Sequence, residues 1–136
     1  MQLSLIQSAP VTGAIVVTTP SDVALEDARK AVTMFQQVKV PVLGIVENMS
    51  YLTCPHCAQR IDVFSHGGGR RTAHEMQVHF LGELPLDPEV RIGGDTGEPI
   101  VRRKGMGEPF LELARHAIAR LEEAAKDEGP RIEITD

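Results

Sequence analysis

The chain has 136 residues, 42% of them apolar, which suits one globular domain that buries roughly 68% of its unfolded surface and leaves no room for a second. Fourteen Lys and Arg stand against 19 Asp and Glu, for a net charge of −5. Without a basic block, sequence-independent nucleic-acid binding, which depends on neutralising phosphates, is excluded. No apolar run reaches the ~18 residues of a bilayer span and no charged-then-apolar leader opens the chain, so a cytoplasmic location is expected.

With no Trp, one Tyr and four Phe, the core must come from aliphatic side chains, as in helices packed on a parallel sheet. Gly13 to Thr19 is a continuous β-branched run ended by Pro20 and predicts a buried strand. Ser21 is the expected N-cap of a helix whose apolar positions Ala24, Ala28, Ala31, Val32 and Phe35 recur at helical spacing. Val40 to Val46 predicts a second buried strand, giving a strand-helix-strand unit with a right-handed crossover.

Periodicity is lost from Glu47 through the cysteine segment. Arg60 to Phe64 predicts a short extended stretch. Gly67-Gly68-Gly69 predicts a plain turn, since it lacks the Lys and Ser/Thr of a phosphate loop, and Arg71 to Val78 a short helix. Phe80 to Leu84 is a third strand candidate. Asp87 as N-cap with Pro88 at the first helical position predicts a brief helix to Ile92. Residues 93–107 predict turns, and Pro109 opens a last helix whose stripe of Phe110, Leu113, Ala114, Ala117, Ile118 and Leu121 is expected to be core. Such alternation places ligands at the carboxyl ends of the strands, where Asn48, the cysteine segment and Pro85 to Asp87 all emerge.

The two cysteines stand as Cys54-Pro55-His56-Cys57. A two-residue gap lets two thiolates share one metal or close one disulfide, but two thiolates fill only half of a four-coordinate site. The spacing leaves open an iron–sulfur centre, zinc held by four cysteines of a dimer or by two cysteines with His56 or His66, a dithiol redox pair, and two unliganded thiols. The alternation after Cys57 opposes the redox option, which needs the first Cys at a helix N-terminus. His66, His74, His79 and His116 are expected at the surface or in packing. Asp95 is given no catalytic role.

Thr18-Thr19-Pro20-Ser21-Asp22, Val46-Glu47-Asn48-Met49-Ser50, Cys54-Pro55-His56-Cys57, Phe64 to Gly69, Phe80 to Pro88 and Asp95 to Pro99 together resemble the Mrp/ApbC family of iron–sulfur cluster carriers. These are deviant P-loop NTPases related to MinD-type ATPases, and the resemblance runs through residues 2–115. It implies an α/β fold, a partial MinD-type sheet that is mostly parallel with flanking helices. Residues 1–125 would be the carboxy-terminal part of that domain with a metal-binding loop at 50–66, and 126–136 a flexible tail.

It further implies a [4Fe-4S] cluster on Cys54 and Cys57, bridging a homodimer and passed to apo iron–sulfur client proteins. Asn48 would recognise the adenine of ATP, with Pro85, Leu86 and Asp87 lining the other side of the base; turning the chain is the plainer role for Asn48. One departure is large. The family's glycine-rich loop ending in Gly-Lys-Ser/Thr is not among these 136 residues, so ATP hydrolysis by this chain alone is not expected.

Overall fold

In the computed structural model, which describes residues 2–127, the expected aliphatic runs become neighbouring strands of one parallel sheet. In chain order the elements are α1 (Gln2–Ser8), β1 (Ala14–Thr18), α2 (Asp22–Gln37), β2 (Val42–Glu47), β3 (Leu52–Thr53), β4 (Arg60–Ile61), α3 (Gly68–Glu75), β5 (Phe80–Glu83), α4 (Pro88–Thr96), a 3-10 turn (Ile100–Arg102) and α5 (Glu108–Asp127). The sheet order is β1-β2-β5, with Val16 beside Ile45 and Ile45 beside Phe80. β3 and β4 form a separate antiparallel hairpin that carries the cysteines at its tip.

The sheet is sandwiched by helices. On one face Val16, Ile45, Ala28 and Val32 of α2, and Ala73 of α3 form a buried cluster with Phe35 and Phe80 packed against it. On the other, Val46, Leu81 and Leu84 pack against Phe110 and Leu113 of α5. β2 is therefore covered on both sides, and full burial of a side chain such as Ile45 contributes about 1.5–3 kcal/mol. β1 is different: Val16 and Thr18 are buried while Ile15 and Val17 are exposed, and the strand lies at the sheet's edge.

Local signals for helix starts are realised. Ser21 has extended backbone and its Oγ accepts from the Ala24 N–H, 3.4 Å. Asp87 Oδ1 accepts from the Glu89 N–H at 2.9 Å, with Pro88 in the first turn.

Four expectations need correction. The glycine run is not a plain turn, because Gly68 and Gly69 are the first residues of α3 and only Gly67, at φ 76°, stands outside as a left-handed N-cap. They are glycine because α3 enters close to the sheet: a Cβ on Gly69 would lie 3.0 Å from Glu47 Oε1. α4 continues past Ile92 to Thr96, since Gly93 lets the helix lie against the returning chain, where a Cβ would meet Glu98 O at 2.6 Å. The stripe on α5 is core only in part, for Ile118 and Leu121 are exposed. Finally, α5 carries Lys126 and Asp127, assigned to the tail from sequence; the rest of that tail, 128–136, lies outside the described residues. Among the described residues no helix is long and apolar enough to cross a membrane.

Candidate metal centre

The hairpin is built on the continuation of β2. Leu52 pairs with Ile61 and Thr53 with Arg60, and the six residues between them form the tip. Inside the tip the Cys54 N–H donates to Gln59 O and the Ala58 N–H to Cys54 O, both at 2.9 Å. Ala58 is held at φ 59°, a left-handed conformation that L-residues other than Gly adopt at a cost. The fold of the tip turns backbone N–H groups onto sulfur: donors from Cys57, then His56, and then the Cys57 thiol hold the Cys54 thiol below its ordinary pKa. Both thiols are free, Cys54 half-buried and Cys57 exposed.

A two-rung hairpin is marginal by itself. Here Arg60 ties it to the body. The guanidinium donates to both oxygens of Glu83 at 2.7 and 3.1 Å and to Asp62 at 2.8 Å, lies 3.1 Å from His66 Nδ1, and stacks 4.5 Å from the Tyr51 ring centroid. The Arg60 pair, with a smaller contribution from the Ser50 hydroxyl, holds the Glu83 carboxyl below the usual carboxylate range. Ser50 Oγ lies 2.7 Å from Glu83 Oε2 and 2.5 Å from Glu47 Oε2, its one proton serving one of them at a time. Glu47 is buried, and its other oxygen accepts the Gly69 N–H of α3 at 2.8 Å. None of these four residues (Glu47, Ser50, Arg60, Glu83) was singled out from sequence. A carboxylate closing a buried strand was the signal available for Glu47.

The residues expected at the adenine lie on the same carboxyl edge. The Asn48 N–H donates to Thr18 O at 2.7 Å, the Ser50 N–H to Leu84 O at 2.9 Å, and the Leu86 N–H to Tyr51 O at 2.7 Å. Asn48 and Pro85 to Asp87 thus flank one short backbone ladder that runs into the cysteine hairpin. The hollow at Asn48, about 380 Å³, is walled by β1, Thr19 and α2, and its lining does not include Pro85, Leu86 or Asp87. The side chains also have local work: Asn48 Oδ1 accepts the Met49 N–H at 2.9 Å, and Asp87 caps α4.

Among the described residues no group of three or more His, Cys, Asp and Glu converges as a metal site. His66 Nδ1 lies 3.1 Å from the Arg60 guanidinium, so the two thiols are the ligands the tip itself presents. The tip leads into β4 and not into a helix, so the lowered Cys54 pKa comes from turn amides and not from a helix end.

Comparison with known proteins gives the family. The family described as ParA, NUBPL iron-transfer P-loop NTPase, matches residues 1–120. A protein named iron-sulfur cluster carrier protein from Pyrococcus horikoshii is 44% identical over 129 residues, covering 93% of this chain and 44% of that protein. The chain thus spans less than half the length of that relative. Among solved structures, a nucleotide-binding protein from Archaeoglobus fulgidus, in complex with ADP, superposes with a TM-score of 0.60 at 37% identity, covering 71% of this chain and 40% of that one. The cell division ATPase MinD of Pyrococcus furiosus shares the fold, with a TM-score of 0.59 at 24% identity over 79% of this chain and 43% of that one. The chain belongs to the NUBPL-type ParA family of iron-transfer P-loop NTPases.

Proposed function

We propose that this chain holds an iron–sulfur cluster on Cys54 and Cys57 and passes it to apo-proteins, the cluster being its cargo. The observation that carries this reading is the hairpin tip, where backbone N–H donors favour thiolate at Cys54 and leave Cys57 exposed. Thiolate is the ligand form, and an exposed tip lets cargo enter and leave. Two ligands per chain complete a [4Fe-4S] site when a second copy supplies the other two, an arrangement that two-fold symmetry provides. Separating the copies then removes half the ligands at once. Asn48 and Pro85 to Asp87, on the same carboxyl edge, support a reading of that edge as the base end of an ATP site, the phosphate-binding loop being absent from these 136 residues.

Anaerobic reconstitution with iron and sulfide tests the reading. The chain should turn brown with one four-iron cluster per two copies, and Cys54→Ser or Cys57→Ser should abolish the colour. Tight stoichiometric zinc with no iron uptake would instead make the tip a zinc-braced structural module, and insulin reduction dependent on Cys54 would make it a redox enzyme.

A further inference from the structure

α5 carries two apolar stripes, and only one of them has a partner among the described residues. Phe110 and Leu113 pack on Val46, Leu81 and Leu84, and His116 Nδ1 lies 2.8 Å from Leu81 O, so this side of the helix is turned to the sheet. A helix that covers a sheet needs one such stripe, with charged and polar residues opposite it. On α5 the opposite side is lined instead by Leu111, Ala114, Ile118, Leu121 and Ala125, all exposed, the three large side chains by 42%, 56% and 40%. Their spacing alternates between three and four residues, which keeps them in one row along the helix, as the a and d positions of a coiled-coil seam.

The row fits an inverted copy of itself. Turned end for end about Ile118, a second α5 sets Ile118 against Ile118, Leu111 against Ala125 and Ala114 against Leu121, so that on either side of the centre a large side chain meets a small one. Charge obeys the same symmetry. Along one border of the row stand Glu108, Arg115, Glu122 and Lys126, alternating in sign. A two-fold axis keeps that border beside its own copy, bringing Arg115 opposite Glu122 and Glu108 opposite Lys126, each pair twice. Within one chain Arg115 also meets Glu108 at 3.2 Å, an exposed pair that exchanges partners at little cost. Two acids and two bases leave the border neutral, which spares the contact the repulsion between chains of net charge −5.

We infer that the outer row of α5 is a contact for a second copy of this chain, antiparallel and two-fold about Ile118, formed without metal and without the cysteines. Size sets its strength. A standing dimer buries about 800 Å² per partner, more than five side chains on one helix supply, so the contact joins chains only where they are concentrated.

Sedimentation equilibrium of the full chain, with chelator and reductant present, tests this: monomer should give way to dimer between about 10 µM and 1 mM. Ile118→Asp, which sets two carboxylates together on the axis, should weaken association at least about tenfold. Arg115→Glu and Glu122→Arg should each weaken it roughly threefold, and the two together should restore it, a rescue that altered helix stability does not produce. Circular dichroism should be unchanged throughout. The double variant Cys54→Ser, Cys57→Ser and the variant Val23→Asp, at a position 79% exposed on α2, should associate as wild type. A wild type still monomeric at the top of the range, normal association by Ile118→Asp, or charge reversals that do not rescue each other would each overturn the inference. Loss of association in the cysteine variant would overturn it too, by assigning the contact to the hairpin.

Discussion

Cys54 and Ala58 show how a six-residue tip sets chemistry through its backbone. The N–H groups of Cys57 and His56 stabilise the Cys54 thiolate, so its folded pKa lies below that of an ordinary thiol. The anion therefore persists to lower pH. In Cys57→Ser, which keeps the main donor, alkylation of Cys54 should reach half its limiting rate at a lower pH in the folded chain than in the same chain unfolded in denaturant, and equal midpoints would deny the N–H donors their role. Ala58 carries the opposite sign, a local cost. At φ 59° a Cβ is unfavourable, and Ala58→Gly should stabilise the tip by about 1 kcal/mol, read as slower amide exchange at Cys54 and Ala58. Unchanged exchange would mean that the strain is relieved elsewhere in the loop.

At the scale of elements, the hairpin depends on the Arg60–Glu83 pair and α3 on the Glu47–Gly69 contact. Because Glu83 has a depressed pKa, its contribution is complete above the ordinary Glu value of ~4.3 and is lost as pH falls through the lower folded value. Amide protection at Thr53 and Cys54 should accordingly drop in acid before the sheet unfolds, and Arg60→Gln should remove it already at neutral pH. Simultaneous loss of sheet and hairpin protection would show that the pair is not the tether. For α3, Glu47→Ala strands the buried Gly69 N–H and leaves a cavity, with an expected cost of about 2–4 kcal/mol by denaturant unfolding. A cost below 1 kcal/mol would mean that water replaces the carboxylate.

At the scale of the whole molecule, what was legible was what sequence neighbours decide. Ser21 and Asp87 were readable as caps because their partners, Ala24 and Glu89, lie within three residues. The aliphatic runs were readable as strands because β2 is covered on both faces. Arg60 was not, since its partner Glu83 lies 23 residues away and only the fold brings them together. Gly68 and Gly69 were misread for the same reason, as the contacts that require glycine there are with Leu25 and Glu47. On α5 the helical period correctly grouped Phe110, Leu113, Ile118 and Leu121, but a period reveals an apolar face and not what that face meets.

β1 has a further consequence for handling the protein. Its five residues, Ala14 to Thr18, contain no Lys or Pro to guard the edge that is open among the described residues, and Val17 is 60% exposed beside it. Such an edge recruits strands from other molecules. Concentrated samples should therefore grow slowly into turbid, thioflavin-binding material whether or not metal is present. Val17→Lys should lengthen the lag, and an unaltered lag would place the aggregation-prone segment elsewhere in the chain.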